Sequence, residues 1–140
     1  MSTPPAANSA LIHHNPPGLH RHPAFSQAVE IAPDARLVLI GGQNGTDPSG
    51  SIVGDTVAAQ TSQALANVQT AVEAAGGSIA DIAKWTMLLT EHTEIASGFS
   101  AFQEFWDPNI TPPAITVQVV GGLASPDFLV EIEAVAAISP

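Results

Sequence analysis

The segment from Asp55 to Gly77 has the apolar spacing of an amphipathic helix, and it constrains the fold more than any other part of the sequence. We expect Asp55 to be the N-cap and Gly76-Gly77 to supply the stop at the C-terminal end. Between them, apolar side chains recur at three- and four-residue intervals: Val57, Ala64, Leu65, Val68, Ala71 and Val72. A helix of about twenty residues with one apolar side must bury that side against another element. In a chain of 140 residues, that element belongs to the single core of one domain.

The segments around this helix predict an α+β domain. β-favouring runs occupy residues 10–12, 25–31, 36–40, 84–89, 115–120 and 128–138. A second amphipathic helix spans residues 94–106 and ends at Asp107-Pro108. The order β-β-β-α-β-α-β-β predicts one mixed sheet that carries both helices on one face. The tight connection between residues 25–31 and 36–40 predicts a hairpin, and the apolar run 36–40 predicts a strand buried on both faces.

The composition predicts that another copy of the chain covers part of the surface. Only 11% of the residues are charged, against 45% that are hydrophobic, and isolated small domains carry more surface charge than this. The sheet face opposite the helices is too apolar to face water, which indicates an oligomer. The Pro/Ala/Ser-rich residues 1–9 are the expected flexible tail of a single domain over residues 10–140. The sequence contains no signal segment and no apolar run of about 18 residues, so we expect a cytoplasmic protein without a membrane partner.

The net charge of −10 argues against nucleic acid and anionic membranes as partners. Arg21, Arg36 and Lys84 are the only strong cations against thirteen acidic residues, whereas binding to phosphate backbones depends on clusters of Lys and Arg. The sequence has no cysteine, so it offers no disulfide, thiol nucleophile or cysteine-ligated zinc.

Four histidines cluster around Arg21 in the N-terminal part of the sequence: His13, His14, His20 and His22. Their spacing matches no standard pattern of metal ligands, so we expect no metal site. A surface role, a weak metal site and a place in a cleft between subunits are all compatible with the spacing.

Five segments, in this order, resemble the RidA/YjgF family of reactive-intermediate deaminases. They are Asn15-Pro16-Pro17-Gly18-Leu19, Phe25-Ser26-Gln27-Ala28-Val29, Gly41-Gly42-Gln43, residues 60–76, and Val130-Glu131-Ile132-Glu133-Ala134-Val135-Ala136. The resemblance covers about residues 15–138. It implies a chorismate-mutase-like α+β fold, a homotrimer, and small-molecule pockets in the clefts between subunits. The sequence has no dinucleotide fingerprint, no haem motif and no lysine in a pocket motif for pyridoxal phosphate, so we expect no cofactor.

The same resemblance implies that one residue of the family's substrate site is missing. Members that act as enamine or imine deaminases use an arginine, in a strand of the type Pro-Ala-Arg-Ser-Thr-Val-Glu-Val, to hold the substrate carboxylate by two hydrogen bonds. Aligning Thr116 and the three residues after it with the end of that motif places Ala114 at the arginine position. Phe25 stands where the family usually has a tyrosine, and Phe99 lies about where it has an asparagine. The resemblance therefore implies an apolar cleft without the carboxylate clamp.

Other residues of the family's site are retained. Glu131 matches the glutamate credited with positioning or activating water, Thr116 matches a pocket-lining Ser, Thr or Cys, and the backbone of Gly41-Gly42 can present N–H groups to a ligand. The resemblance thus implies a deaminase-like hydrolase that acts on a neutral or hydrophobic imine, enamine or other reactive metabolite. It does not imply a typical 2-aminoacrylate deaminase.

Three alternatives accompany this interpretation. The scaffold could serve as a non-catalytic trimer that binds a metabolite or a partner, with Glu131 bonding only to a neighbouring loop. Phe25 and Phe99 could be ordinary packing residues. Arg21 could replace the missing arginine from another direction.

Overall fold

A computed structural model describes residues 8–140, so most of the predicted tail lies outside the described part of the chain. Within it the elements are β1 (Leu11–His14), β2 (Ala28–Ile31), β3 (Arg36–Gln43), α1 (Val57–Ala74), β4 (Ile82–Thr90), α2 (Ile95–Phe105), β5 (Ala114–Val120) and β6 (Val130–Ile138). A short 3-10 turn, Ile79–Asp81, precedes β4. The predicted order of strands and helices is confirmed. None of the helices in residues 8–140 has the length and apolar character needed to cross a bilayer.

The predicted mixed sheet with both helices on one face is present, but its predicted extent is wrong, because β1 and β2 pair with each other in a separate two-stranded sheet. The larger sheet has the order β3-β6-β4-β5, with β4 and β5 parallel and the other pairs antiparallel. The predicted hairpin is also wrong, because β2 pairs with β1 while β3 pairs with β6. The reason is length: the nine-residue β6 offers the eight-residue β3 far more ladder bonds than the four-residue β2 can.

Helix α1 begins one residue later than the sequence predicts. Thr56, and not Asp55, is the N-cap, because its extended backbone directly precedes Val57 and its Oγ1 accepts the Ala59 N–H at 3.2 Å. Gly76 follows the helix with a φ of 89° and ends it as predicted.

The core lies between the two helices and one face of the larger sheet. Leu65 and Val68 of α1 are fully buried, as are Trp85 of β4 and Ile132 of β6. The Trp85 ring meets the Phe102 ring edge-on, with their centroids 6.0 Å apart. Aromatic pairs prefer this geometry. These contacts fix α1 and α2 on the same side of the sheet.

The prediction that residues 36–40 are buried on both faces is wrong. Val38 and Ile40 point toward the core, whereas Leu37 and Leu39 are 61% and 79% exposed. Most of the sheet face away from the helices is therefore uncovered in the single chain, as the sequence predicts, although β1 and β2 cover its end at Ala137. We call it the open face, and its side chains alternate with core residues along four strands: Leu37, Leu39, Lys84, Thr86, Leu88, Ala114, Thr116, Gln118, Glu131, Glu133 and Val135.

The β1–β2 ribbon is attached to the segment that leads into β5. Ser26 donates its N–H to the Pro113 carbonyl at 3.0 Å and its hydroxyl to the Pro112 carbonyl at 2.6 Å. His13 Nδ1 lies 3.1 Å from Ser26 Oγ and completes the network. Burial lowers the pKa of His13 below its ordinary value of 6.5; the nearby Pro112 carbonyl opposes this effect and the charge of His14 adds to it.

This network predicts that the protein loses stability in mild acid. In the unfolded chain the pKa of His13 returns to 6.5, so between that value and the lower folded pKa the unfolded chain binds more protons at His13 than the folded protein does. The contribution of His13 to the free energy of unfolding therefore falls as the pH drops through this window. Urea unfolding at about pH 8 and about pH 5 measures the loss.

His13→Asn should reduce this loss, because the asparagine amide can take the place of Nδ1 without titrating. His92→Asn, at an exposed turn residue with a φ of 70°, is the matched control and should lose as much stability as the unaltered protein. An equal loss in all three proteins would contradict the role of His13.

Candidate active site

Glu131 is a half-buried carboxylate on the open face, in β6. Asn44 Nδ2 lies 3.3 Å from Glu131 Oε1 and donates to the Val130 carbonyl at 3.0 Å. Gly42 packs directly beneath the carboxyl group, since a Cβ built on Gly42 would lie 2.6 Å from both Cδ and Oε2 of Glu131. The Asn44 amide thus holds one oxygen of the carboxylate, and the carboxyl group packs against the backbone of Gly42, which has no side chain.

The β3–β6 register creates the space for this arrangement. The ladder runs regularly from Arg36 to Ile40 and then shifts before Gln43, which is opposite Ile132. Such a bulge re-aims the backbone locally, and here it contains Gly41 and Gly42. The glycines therefore allow β3 to pass close to the Glu131 side chain.

Two amides of α1 fix the segments that carry this site. Gln60, 1% exposed, donates to the Gly54 and Asp127 carbonyls at 2.9 and 3.1 Å and accepts the Leu129 N–H at 2.9 Å. Asn67 Nδ2 donates to the Asn44 carbonyl at 3.1 Å. Hydrogen bonds to buried backbone groups are costly to lose, so α1 determines where β6 starts and where Asn44 lies.

Lys84 lies beside the position expected for the family's arginine. In the parallel β4–β5 ladder, Lys84 is the partner of Ala114 and Thr86 is the partner of Thr116. Lys84 Nζ donates to Thr116 Oγ1 at 2.8 Å. Sequence reasoning missed Lys84 as a site residue. The alternation of Lys84 with core residues along β4 predicts that it lies on the open face. Its contact with Thr116 follows only from the parallel pairing of β4 and β5, which α2 separates in the sequence.

The remaining members of the predicted site divide between the two faces of the sheet. Gly41, Ala114 and Thr116 share the open face with Glu131, although β4 separates β5 from β6 by two strand spacings, about 10 Å. Phe25 and Phe99 instead line an apolar cavity of about 250 Å³ on the helix side. Within a single chain they do not face Glu131.

The histidine cluster is only partly dispersed in the structure, since the His20 and His22 rings remain close, with centroids 6.1 Å apart. His13 joins Ser26, His14 Nε2 lies 2.9 Å from Glu30 Oε1, and the His22 ring stacks on Phe25 with centroids 5.2 Å apart. Arg21 is exposed in the loop between β1 and β2. Among residues 8–140 no group of three His, Asp or Glu side chains comes close enough to hold a metal ion.

A sheet with both helices on one face, and a carboxylate held over a glycine bulge on the other, defines a class of small α+β proteins with a candidate small-molecule site. The chain belongs to the family described as Endoribonuclease L-PSP, whose model matches residues 19–138. The membership in the RidA/YjgF family that the five motifs predict is thereby confirmed, together with the predicted RidA-like fold.

Individual relatives support the same conclusion. A protein named 2-iminobutanoate/2-iminopropanoate deaminase from Salmonella typhimurium is 36% identical over 113 residues, which cover 80% of this chain and 85% of that protein. The protein of the same name from Rattus norvegicus is 32% identical over 118 residues, covering 84% and 82%. The crystal structure of YyfB, a Rid-family protein of unknown function from Yersinia pestis, is 30% identical with a TM-score of 0.83 and covers 92% of this chain and 99% of its own. Escherichia coli TdcF, solved with bound serine, is 30% identical with a TM-score of 0.68, covering 85% and 97%.

The close contact under Glu131 predicts different effects for two adjacent glycines. Gly42→Ala places a Cβ 2.6 Å from the carboxyl group, so it must displace Glu131 and should lower the free energy of unfolding by about 1–3 kcal/mol. Gly41→Ala is the matched control, because a Cβ there meets no atom within 4 Å; its effect should stay below about 0.5 kcal/mol. Urea unfolding of both variants measures the difference, and equal effects would contradict this placement of Glu131.

Proposed function

We propose that the open face around Glu131 hydrolyses a small imine or enamine, with Glu131 handling water and protons. The observation that carries this proposal is the position of the Glu131 carboxylate, bonded by Asn44 at Oε1 and lying against Gly42 at Oε2. A carboxylate with one oxygen anchored can keep the other directed at a reacting molecule. The family membership and the deaminase names of the relatives support the same reaction type.

The proposed reaction needs one base that later acts as an acid. Glu131 accepts a proton from water as the water oxygen bonds to the imine carbon, and the C=N double bond becomes a C–N single bond. The nitrogen takes this proton back from Glu131 and then receives the proton of the new hydroxyl group, again by way of Glu131, so that the C–N bond breaks and ammonia leaves as the carbonyl forms. An enamine reaches the same path once its carbon takes up a proton. A positioned carboxylate contributes about 100-fold or more to such steps.

The proposed substrate is neutral or hydrophobic, and small amino-acid-derived imines such as 2-aminoacrylate are disfavoured. Ala114 offers no donor for a carboxylate. Lys84, beside it, is a point charge that already donates to Thr116, and an ammonium does not reproduce the two parallel hydrogen bonds of a guanidinium. Glu131 and Glu133 add negative charge to the same face. A carboxylate substrate is therefore held poorly there.

The catalytic role of Glu131 is tested by a pair of variants. Imines are generated in situ, a neutral one from benzylamine with an amine oxidase and iminopropanoate from alanine with an amino-acid oxidase, and the release of the carbonyl product is followed. Glu131→Gln should lower turnover of the neutral imine by about 100-fold or more. Glu133→Gln, two residues away on the same face but exposed, is the control and should retain most activity.

Two outcomes would oppose this proposal. Unchanged turnover in Glu131→Gln would remove the proposed role of the carboxylate. Faster turnover of iminopropanoate than of the neutral imine would show that carboxylate recognition persists, and loss of that preference in Lys84→Met would then assign it to the lysine.

The alanine at position 114, where the family's deaminases have their substrate-binding arginine, also favours a second candidate function. In this alternative the same scaffold binds a small molecule without catalysing a reaction. It predicts saturable binding of the product, benzaldehyde, without faster release of ammonia from the imine. The endoribonuclease in the family's description is not proposed for this chain, because a net charge of −10 opposes the approach of RNA.

We also propose that three copies of the chain associate through the open face, which is supported by the exposed Leu37 and Leu39. Light scattering on a sizing column should give three times the chain mass of 14.3 kDa. Leu39→Asp should lower that mass, because it places a charge in the contact. Leu19→Asp, at a loop residue that is 54% exposed, is the control and should leave the mass unchanged. A monomer in the unaltered protein would contradict the proposal.

A further inference from the structure

We propose that a polar cleft beside His13 is a binding site for a small, neutral, primary carboxamide. We call it the His13 cleft and define it by six of the residues that line it: Leu11, His13, Ala80, Asn109, Ile110 and Thr111. It lies between β1, the 3-10 turn that precedes β4, and the loop that leads into β5. It shares no lining residue with the apolar cavity of Phe25 and Phe99, and Glu131 is not part of it.

The hydrogen bonds of Ser26 determine which nitrogen of the His13 ring carries the proton. Ser26 Oγ donates its one hydrogen to the Pro112 carbonyl at 2.6 Å. It is therefore the acceptor in its contact with His13 Nδ1, 3.1 Å away. In a neutral imidazole one nitrogen bears the hydrogen and the other a lone pair. His13 thus has its hydrogen on Nδ1 and its lone pair on Nε2.

Nε2 of His13 is an acceptor that the fold leaves without a partner. No hydrogen bond within residues 8–140 reaches it, since the bond to Ser26 engages Nδ1 alone. Burial lowers the pKa of His13 below 6.5, so at about pH 7 the ring is neutral and Nε2 remains an acceptor. No other His and no Asp or Glu lines the His13 cleft, so a metal ion would have only one protein ligand there. The cleft favours a ligand that donates a hydrogen bond.

Two side chains on the loop side of the His13 cleft are also available to a ligand. The Asn109 amide and the Thr111 hydroxyl make no hydrogen bond among residues 8–140, and both residues are exposed. Their loop is nevertheless fixed, because Asp107 accepts the backbone N–H groups of Asn109 and Ile110 at 2.9 and 3.0 Å. The Ile110 carbonyl in turn accepts from Trp106 Nε1 at 3.1 Å. The loop therefore holds both polar groups beside the cleft.

The remaining polar residue of the lining, Asn8, has both ends of its amide engaged. Nδ2 donates to Asp81 Oδ1 at 2.7 Å, and Oδ1 accepts a backbone N–H at 2.7 Å. The polar groups that are open to a ligand are therefore those of His13, Asn109 and Thr111.

These groups and the size of the His13 cleft define the ligand. A primary carboxamide places an N–H donor for His13 Nε2 beside a carbonyl acceptor for the Thr111 hydroxyl or the Asn109 amide. Leu11 and Ala80 are buried and add apolar surface. The volume is about 260 Å³; cavities of about 150 Å³ hold a benzene, and drug-sized ligands occupy about 300 Å³ or more. One ring with one carboxamide therefore fits. Because no charged side chain lines the cleft, a charged ligand would lose its hydration without compensation.

Three benzene derivatives test the proposal at about pH 8, where His13 is neutral: benzamide, acetophenone and benzoate. Acetophenone has a methyl group in place of the amide nitrogen, so it keeps the carbonyl and the shape but loses the donor. The backbone amide signals of Ala80 and Thr111 in ¹H–¹⁵N NMR report binding. Benzamide should bind about 3- to 10-fold more tightly than acetophenone, the ratio expected for one hydrogen bond. The charged benzoate should not bind.

Protein with ¹⁵N-labelled histidine gives a second, independent readout. Before any probe is added, Nδ1 of His13 should carry a hydrogen and Nε2 should not. Benzamide should then shift the Nε2 signal of His13. It should leave unchanged the signals of His22, which lines the apolar cavity, and of the exposed His92. A shift at His22 in place of His13 would assign the probe to the apolar cavity and overturn the proposal.

Three variants separate the role of His13 from that of the fold. His13→Phe keeps a ring but has no acceptor, so it should remove the preference for benzamide over acetophenone. His14→Phe makes the same change at the neighbouring residue, which lies outside the lining, and should keep the preference. The double variant Asn109→Ala/Thr111→Val changes two exposed residues and leaves the Ser26 network intact. It should weaken benzamide and acetophenone alike, since both have the carbonyl, and it keeps the test available if His13→Phe does not fold.

The proposal is overturned if benzamide leaves the Ala80 and Thr111 signals unmoved at millimolar concentration, or if it binds no more tightly than acetophenone. A preference for benzamide that persists in His13→Phe would also overturn it, as would a hydrogen on Nε2 in place of Nδ1. Failure of imine turnover, in contrast, would count only against the proposed function, since that reaction involves no residue of the His13 cleft.

Discussion

The pairing of β6 with two neighbours holds this molecule together and also creates its site. Its apolar residues, beginning at Val130 and Ile132, are buried toward the helices, whereas Glu131 and Glu133 alternate onto the open face. A strand that lies between β3 and β4 cannot shift its register without moving the apolar set out of the core. The packing of the core therefore fixes the face on which the carboxylate lies, and Asn44 and the Gly41-Gly42 bulge then hold the carboxyl group there.

Local sequence patterns predict the elements of this fold but not their partners. The three- and four-residue spacing of α1 predicts its length closely, and Gly76 marks its end, because both signals act within a few residues. The pairing of β3 with β6 joins residues about a hundred positions apart, and nothing in residues 25–40 indicates it. The N-cap differs by one residue because Asp55 and Thr56 are both good caps, and the structure decides which of them precedes the first helical turn.

Local sequence patterns likewise predict some residues of the candidate site but not the contacts between them. The family motifs identify Glu131 and the Gly41-Gly42 turn because each lies in a contiguous match to the family's pattern. They do not reveal Asn44 or Lys84 as neighbours of the site, since those contacts arise from the bulge in β3 and from the parallel β4–β5 ladder.

The two faces of the sheet differ in the kind of recognition that they can provide. On the open face, two glutamates, a lysine, two threonines and a glutamine lie among exposed leucines. Polar groups are therefore available, but water is excluded only if a second chain covers them. On the helix side, the apolar pocket beneath α2 is partly open to solvent, since Phe99 and Val117 in its lining are 42% and 49% exposed. Electrostatic interactions strengthen as water leaves, so the chemistry proposed for Glu131 depends on association with a second chain. The low charge of this sequence is consistent with such association, because a subunit contact requires apolar surface on the single chain.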